Sequence, residues 1–316
     1  MHARKPKRPA SAKQTGRCLW PARVPRIRTF GIMLLAAAAT WLGVASCARF
    51  GNRIQAGGTL PQAVAGQAVR YWSMVRENLR PLRIHCLTVD LRDRRYETVA
   101  LVGDDPDGAG PAEATLTKPE SLAAGHDVVA AVNANAFASL PDSKGQRDTN
   151  WFAGKPVDIA GWVMHSGQQI SPPQEQHASF WMDAAGRGHV GTLREPVPAR
   201  EAVAGFGRLL ADGVNICTED GVRHPRTALG LDAAGQQLWL VVVDGRQAGY
   251  SEGVSTRELA ELMKELGCRD AINLDGGGSS VMLLALAGKS LQVVNRPSGG
   301  ATRPIPVLLA IRERKP

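Results

Sequence analysis

The residues of this chain that are best suited to chemistry lie close together near its C-terminal end. Asp275 follows the apolar residues Ile272 and Leu274, which predict a short buried strand. Directly after the carboxylate come three glycines and two hydroxyl groups, in residues Gly276, Gly277, Gly278, Ser279 and Ser280. Because glycines leave main-chain N–H groups uncovered, the segment predicts a loop of hydrogen-bond donors beside a carboxylate, which suits a phosphate or a sugar.

A hairpin turn with a solvated aspartate is the alternative interpretation of Asp275, because Asp-Gly is a common turn signal. Two further glycines exceed what a tight turn needs. The segment is not a P-loop, because no Gly-Lys-Ser or Gly-Lys-Thr follows it, and it lacks the spacing of a dinucleotide fingerprint. We therefore interpret it as a ligand-binding loop.

A helix is predicted directly before this segment. Ser255 and Glu258 have the spacing of a capping box, so we expect the helix to begin after Ser255. Gly267 suits the left-handed residue that ends many helices. One apolar stripe lies between these signals, formed by Leu259, Leu262, Met263 and Leu266.

A predicted hairpin upstream places a second carboxylate beside a glycine. Residues 227–231 and 237–243 are apolar and rich in strand-forming side chains, and turn residues 232–235 separate them. The second strand leads into Asp244, Gly245 and Arg246. Two predicted strands therefore end next to an Asp-Gly pair.

Several motifs of this region resemble the phosphodiester glycosidases in sequence, order and spacing. They are residues 226–230 (Arg-Thr-Ala-Leu-Gly), 243–246 (Val-Asp-Gly-Arg), the helix with Glu258, 273–280 (Asn-Leu-Asp-Gly-Gly-Gly-Ser-Ser) and 295–298 (Asn-Arg-Pro-Ser). The likeness is dense from residue 226 to 309 and thinner from 67 to 213. It implies a hydrolase that cleaves the glycosidic bond of a sugar-1-phosphodiester.

The resemblance and the expected chemistry assign roles to the motif residues. The carboxylate that supports a cationic anomeric centre or activates water is assigned first to Asp275 and second to Asp244. Guanidinium groups match two phosphate oxygens, so Arg226, Arg246 and Arg296 are the phosphate candidates, with a surface ion pair as the alternative for each. The three loop glycines and five polar side chains are expected to bind the rest of the substrate, the side chains being Asn133, Thr227, Ser279, Ser280 and Asn295. No cofactor is expected, and the scattered histidines predict no metal site.

Three motifs near the expected substrate rim differ from the usual family pattern. Residues 133–137 read Asn-Ala-Asn-Ala-Phe in place of Asn-Gly-Gly-Phe-Phe, and residues 165–167 read His-Ser-Gly in place of Ser-Asp-Gly. An Asp is also missing after Ser298. Because the differences lie at the expected substrate rim and not at Asp275, the motifs predict the reaction class but no particular substrate. The differences keep open a second hypothesis, a non-catalytic lipoprotein that binds phosphorylated glycans or assists exopolysaccharide biosynthesis.

The formal net charge of +9 originates in the N-terminal segment. Residues 1–46 contain nine Lys or Arg and no acidic residue, which leaves 29 basic and 29 acidic residues in the remainder. Because the remainder is neutral, the composition predicts no nucleic-acid partner. Phosphate recognition is expected to come from individual arginines.

Export is predicted from the first 46 residues, in which a basic region precedes the apolar run 30–44. Residues 44–47 (Val-Ala-Ser-Cys) resemble a lipobox, so we expect lipid attachment at Cys47 and a tether over residues 47–66. The alternative is a single transmembrane anchor over residues 29–48, which is just long enough to cross a bilayer. Both predict a membrane-anchored protein in the cell envelope, facing the periplasm or the exterior.

One α+β domain is predicted for residues 67–316, with a mixed, largely antiparallel sheet core and a few packed helices. Three cysteines remain in it, Cys86, Cys217 and Cys268, so at most one disulfide is expected. A domain of this size can build a core without one.

We expect the mature protein to begin with a lipid-modified Cys47 and to partition into detergent, because residues 44–47 match the processing signal of lipoproteins. Mass spectrometry of the purified membrane form tests this. A peptide that crosses Ser46 and carries an unmodified Cys47 would contradict lipid attachment and support the transmembrane anchor.

Overall fold

The structure, a computed structural model, describes residues 53–55, 68–218, 220–285 and 290–315. The export signal and Cys47 lie outside the described residues, as does the tether apart from residues 53–55, so these assignments and the domain boundaries stay predictions. Within the described ranges, neither α-helix has the length and apolar character that a membrane crossing requires.

Strands form most of the regular structure in the described ranges. The first ten are β1 (Arg53–Gln55), β2 (Val69–Arg76), β3 (Leu82–Asp90), β4 (Tyr96–Val102), β5 (Ala114–Thr115), β6 (Val128–Asn133), β7 (Phe137–Ser139), β8 (Pro156–Ile159), β9 (Val163–His165) and β10 (Gln168–Ser171). The next eleven are β11 (Ala178–Met182), β12 (Gly188–Thr192), β13 (Glu201–Gly205), β14 (Gly207–Ala211), β15 (Val214–Asn215), β16 (Arg226–Leu231), β17 (Gln237–Val243), β18 (Asp270–Asn273), β19 (Met282–Ala285), β20 (Leu291–Val293) and β21 (Val307–Glu313). The helices are α1 (Pro119–Ala123) and α2 (Thr256–Glu265), and a 3₁₀ turn spans Gly277–Ser279.

These strands form four sheets. The largest has eight strands in the order β1-β2-β3-β17-β16-β18-β14-β15. Two five-stranded sheets have the orders β10-β9-β13-β11-β12 and β20-β19-β6-β21-β4, and β5-β8-β7 form a small fourth sheet. Every strand pair in the described ranges is antiparallel.

The prediction of a largely antiparallel sheet core is confirmed, but the α+β class, with a mixed sheet and a few packed helices, is wrong. The described part is nearly all-β. Adjacent strands such as β11 and β12, or β16 and β17, are joined by short turns. Parallel pairing needs a long crossover, usually a helix, and these turns are too short to hold one.

The main core connects the large sheet with both five-stranded sheets. Its fully buried members include Leu229 and Ile272 from the large sheet, Phe180 from the first five-stranded sheet and Leu309 from the second. Because successive strand residues point to opposite faces, Ala228 of β16 packs instead with α2. The large sheet is therefore covered on both faces.

Helix α2 begins and packs as its sequence predicts. Ser255 accepts a hydrogen bond from the Glu258 N–H and the Glu258 carboxylate accepts one from the Ser255 N–H, which completes the capping box. Leu259 and Met263 are fully buried against the large sheet. Gly267 follows with φ 96°, in the left-handed region. The helix returns the chain to the sheet at β18, the strand before Asp275.

The three cysteines of the described ranges are free. Cys86 and Cys268 are buried, and burial raises the pKa of the Cys86 thiol to about 12. Both are therefore protonated packing residues at neutral pH.

We expect Gly230→Ala to lower the free energy of unfolding by about 1–3 kcal/mol through overpacking. A Cβ at Gly230 in β16 would lie 2.5 Å from Cys268 Sγ and 2.7 Å from Met263 Cε, where α2 covers the sheet. Urea unfolding measures the change. Gly207→Ala in β14 is the matched control, because a Cβ there meets nothing within 4 Å. Equal stability of the two variants would contradict the close contact of α2 with β16.

Candidate active site

Strands of two sheets bring the predicted site residues to one edge of the fold. β16 begins at Arg226 beside the end of β17, which leads into Asp244. β18 runs antiparallel to β16, so Asp275 leaves the large sheet at the same edge. β6 of a five-stranded sheet ends at Asn133, and the Asp275 N–H donates a hydrogen bond to the Ala134 carbonyl at 2.9 Å. Side chains far apart in sequence are thus assembled by antiparallel pairing.

Asn133 joins these elements through its side chain. Its Nδ2 donates to the Asp275 carbonyl at 2.6 Å, while its Oδ1 accepts from the Thr227 hydroxyl at 2.7 Å and from the Val281 N–H at 3.1 Å. Asn133 and Thr227 are buried at 1% and 0% exposure. Because both are engaged within the protein, we interpret them as residues that position the Asp275 loop.

The N–H groups of the glycine loop are mostly used within the protein, which differs from the uncovered donors that the glycines predict. The Gly276 N–H donates to Asp275 Oδ1 at 2.9 Å, and the Gly277 N–H donates to the Pro225 carbonyl at 2.8 Å. The two serine N–H groups that follow close the 3₁₀ turn. Among the described residues, only the Gly278 N–H of this loop has no partner. Most backbone N–H groups of the glycine loop are therefore not free to bind a ligand.

Asp275 has a strongly perturbed carboxyl group. Burial raises its pKa to about 6, although the Ser279 hydroxyl, the Gly276 N–H and the charge of Arg303 act to lower it. Removal from water penalises the charged form of a carboxyl group, which is the physical cause of the shift. A group that changes protonation near neutral pH suits general acid–base chemistry.

Arg226 and Arg246 lie close together and have no acidic partner among the described residues. Arg226 donates only to the backbone carbonyls of Val222 at 3.1 Å and Val254 at 3.3 Å, and Arg246 Nη2 lies 3.1 Å from His224 Nδ1. Burial and then the charge of Arg246 lower the pKa of Arg226, and burial and both arginines lower that of His224. Neither guanidinium forms an ion pair with any described residue, so the surface ion pairs considered as the alternative are not found. Adjacent uncompensated cations favour an anionic ligand.

Two guanidinium groups lie against the glycine loop. A Cβ at Gly277 would lie 3.2 Å from Nη1 and Nη2 of Arg246, and a Cβ at Gly278 would overlap the guanidinium of Arg303. Because glycines have no side chain, they leave space for these two guanidinium groups beside the loop. Gly277 also adopts a φ of 62°, in the left-handed region that favours glycine. Sequence analysis missed Arg303, because an isolated arginine before a proline has no recognisable signal.

Asp244 is buried and hydrogen-bonded on both carboxylate oxygens. Oδ1 accepts from Asn295 Nδ2 at 3.0 Å and from the Arg296 N–H at 3.1 Å, and Oδ2 accepts from the Tyr250 hydroxyl at 3.4 Å. Its exposure is 1%. Asn295 is itself buried, and its Oδ1 accepts from the Met282 N–H at 2.8 Å. The Arg296 guanidinium is exposed and stacks on the Tyr250 ring, 4.9 Å from its centroid.

A buried histidine, also missed by sequence analysis, lies on the other side of Asp244. His85 Nε2 is 3.4 Å from Asp244 Oδ2, and His85 Nδ1 is 2.9 Å from the Tyr71 hydroxyl. Burial raises the pKa of Tyr71 to about 12, so its hydroxyl keeps its proton at neutral pH. His85 therefore lies between the Tyr71 hydroxyl and the Asp244 carboxylate. The only sequence signal was a lone histidine within an apolar strand.

Two buried polar atoms of residues 273–280 have no hydrogen-bond partner among the described residues. They are Asn273 Oδ1 and Ser280 Oγ, whereas the Ser279 hydroxyl acts on the Asp275 carboxyl group. An unsatisfied buried group costs about 1–3 kcal/mol, so a concentration of them favours a polar ligand or water at this place. Both serines were predicted to bind substrate, and Asn273 was not singled out.

A family model of the phosphodiester glycosidases matches residues 126–312, more than half of the chain. The chain therefore belongs to the phosphodiester glycosidase family, which confirms the resemblance of its motifs. Membership supports, at the level of the family, a hydrolase that acts on phosphodiester glycosyl linkages.

Individual relatives are more distant. The SPbeta prophage-derived uncharacterized protein YomE of Bacillus subtilis (strain 168) is 38% identical over 90 residues, which are 28% of this chain and 13% of that protein. The chain thus matches a small part of that relative's length. The catalytic domain of zebrafish N-acetylglucosamine-1-phosphodiester alpha-N-acetylglucosaminidase, auto-inhibited by its pro-peptide, is 21% identical with a TM-score of 0.58. That match covers 83% of this chain and 88% of the zebrafish chain, and it establishes a shared fold.

We expect Asp275→Asn to increase stability above pH 6. The carboxyl pKa is about 6 in the folded protein and about 4 in an unfolded chain, so the folded state binds the proton more tightly. Wild-type stability should fall as pH rises from about 4 to about 6, and the neutral amide avoids this loss. At pH 8 the variant should unfold with a free energy about 1–3 kcal/mol higher, with no difference near pH 4.

Denaturant unfolding at both pH values measures this difference. Asp93→Asn is the control, since hydrogen bonds from Arg95 lower the pKa of Asp93 and a small change of opposite sign is expected. An Asp275→Asn protein that is less stable than wild type at pH 8 would show that the carboxylate mainly caps the Gly276 N–H.

Proposed function

We propose that this protein is an exported hydrolase that cleaves the glycosidic bond of a sugar-1-phosphodiester in envelope or extracellular glycans. The observation that carries the proposal is a carboxyl group with its pKa near 6, Asp275, beside guanidinium groups that have no counter-charge. Family membership supports the reaction class. Export and the envelope location rest on the N-terminal sequence.

The chemistry requires little acid assistance at the leaving group. A phosphate monoester is a stable anion, so the anomeric C–O bond can break once the departing charge is balanced. The carboxylate then stabilises the oxocarbenium-like centre or takes a proton from the attacking water. Asp275 fits this role, because above about pH 6 it is a carboxylate that can balance positive charge or accept a proton.

Arg226 and Arg246 support recognition of an anionic substrate. Their guanidinium groups approach each other beside the glycine loop without an acidic partner among the described residues. A guanidinium binds two oxygens of one phosphate in a planar, charge-assisted arrangement. Arg296, exposed on the Tyr250 ring, is assigned to a more peripheral part of the substrate.

We assign Asp244 a positioning role in place of the second catalytic role that its sequence predicts. Its exposure is 1%, and both oxygens accept hydrogen bonds from the chain. Such a carboxylate has little capacity left for a reacting group. It holds the segment with Asn295 and Arg296 next to the end of β17.

The proposal predicts release of free N-acetylglucosamine from UDP-N-acetylglucosamine or a related sugar-1-phosphodiester by the purified full-length protein. Activity should rise as pH increases through about 6, where Asp275 becomes a carboxylate. Asp275→Asn should lower kcat about 100-fold or more, since it removes a positioned acid–base or electrostatic group. Asp93→Asn should retain wild-type kcat.

Two results would contradict the proposal in different ways. Wild-type turnover by Asp275→Asn would remove Asp275 from the mechanism. Binding of sugar phosphodiesters by the wild-type protein without release of sugar would instead support the non-catalytic, glycan-binding hypothesis.

A further inference from the structure

Arg303 differs from the other arginines of the site in its contacts. Within the described residues its guanidinium forms no ion pair and donates no hydrogen bond, whereas Arg226 contacts two carbonyls and Arg246 contacts His224. Arg303 is also partly buried. A guanidinium carries five N–H donors, and withdrawing them from water without an acceptor is unfavourable. The arrangement therefore favours an anionic ligand at Arg303.

Its location singles out Arg303 among the arginines of the site. The guanidinium lies against the backbone of Gly278, three residues after Asp275, and its charge acts on the Asp275 carboxyl group. Arg226 and Arg246 instead act on each other. In a sugar-1-phosphodiester one oxygen joins the phosphorus to the anomeric carbon. A cation that binds the phosphoryl oxygens must therefore lie close to the carboxylate that acts at that carbon, and Arg303 meets this condition.

The backbone around Arg303 is held in place before any ligand binds. Ile305 pairs with Thr117, with N–H to carbonyl distances of 2.9 and 3.0 Å. The Thr302 hydroxyl donates to the Glu120 carboxylate at 3.2 Å, and Lys118 Nζ donates to the Thr302 carbonyl at 2.8 Å. Residues on both sides of Arg303 are thus fixed to the start of α1. A donor fixed in advance stabilises developing charge more effectively than a mobile one.

We propose that Arg303 binds the phosphoryl oxygens at the scissile bond and stabilises the phosphate as it leaves. This inference rests on the proposed function, which supplies the phosphodiester. When the anomeric C–O bond breaks, its electron pair passes to the phosphate oxygen. Water adds its oxygen to the anomeric carbon, and the proton that it loses passes to the Asp275 carboxylate.

The charge of the phosphoryl group changes during this step from one negative charge to two. A guanidinium that contacts two of its oxygens therefore binds the leaving phosphate more tightly than the bound substrate. Loss of Arg303 should lower kcat most for substrates whose phosphate is a poor leaving group. A residue needed only for folding would show no dependence on the leaving group.

The first experiment measures binding of inorganic phosphate to the full-length protein by isothermal titration calorimetry. Arg303→Met should raise the Kd roughly 10-fold or more, since charge-assisted hydrogen bonds are lost. Arg303→Lys keeps the charge without the planar fork and should give an intermediate Kd. Arg92→Met is the matched control, because Arg92 is exposed and pairs with Asp90 in a turn. An unchanged Kd in both Arg303 variants, or no phosphate binding by wild type, would overturn the inference.

The second experiment compares pH–rate profiles with a sugar-1-phosphodiester. Removal of a nearby cation raises a carboxyl pKa, so the acid limb assigned to Asp275 should move above about pH 6 in Arg303→Met and stay in place in Arg92→Met. An unmoved acid limb with wild-type kcat would overturn the inference while leaving the proposed function intact. If phosphate binding depends on Arg303 but the protein has no hydrolytic activity, the result would support an anion-binding site at Arg303. The same result would contradict the proposed function.

Discussion

The organisation of this site depends on one buried amide, that of Asn133. It binds the Asp275 carbonyl, the Thr227 hydroxyl and the Val281 N–H, which belong to three separate segments of the chain. Each partner would otherwise be a buried polar group without a hydrogen bond, at a cost of about 1–3 kcal/mol. The amide therefore fixes the path of the chain on both sides of the glycine loop.

The glycine loop provides space for cations more than it provides backbone donors. Its N–H groups are largely occupied by Asp275, Pro225 and the 3₁₀ turn, while the guanidinium groups of Arg246 and Arg303 lie where side chains would otherwise be. The site thus combines a carboxyl group whose ionisation is penalised with cations whose charges are not neutralised. Both features reduce the stability of the protein alone, and strain of this kind is common at functional sites.

Two Asp-Gly pairs that look equivalent in the sequence have different environments in the fold. Asp244 is surrounded by donors, from Asn295, Arg296 and Tyr250, and cannot offer a free oxygen. Asp275 accepts from the neighbouring Gly276 N–H and has a raised pKa. The difference arises because two donors to Asp244 come from a distant part of the chain. The Asn295 side chain lies 51 residues from Asp244 in sequence, and the Arg296 N–H lies 52 residues from it. Local sequence patterns do not report such neighbours.

Local signals in the sequence determined much of this protein. The capping box of α2 and the β16–β17 hairpin depend on interactions between residues close in sequence, so their spacing was sufficient to predict them. The strand before Asp275 pairs with distant strands, but its local apolar pattern was sufficient to predict it. The order and spacing of the motifs were sufficient to predict the family. The tertiary structure alone decided that the described part is nearly all-β, that Asp244 is enclosed, and that Arg303 lies beside the loop. These features depend on contacts between distant segments, such as the 142-residue separation between Asn133 and Asp275, and only the completed pairing of the strands brings those segments together.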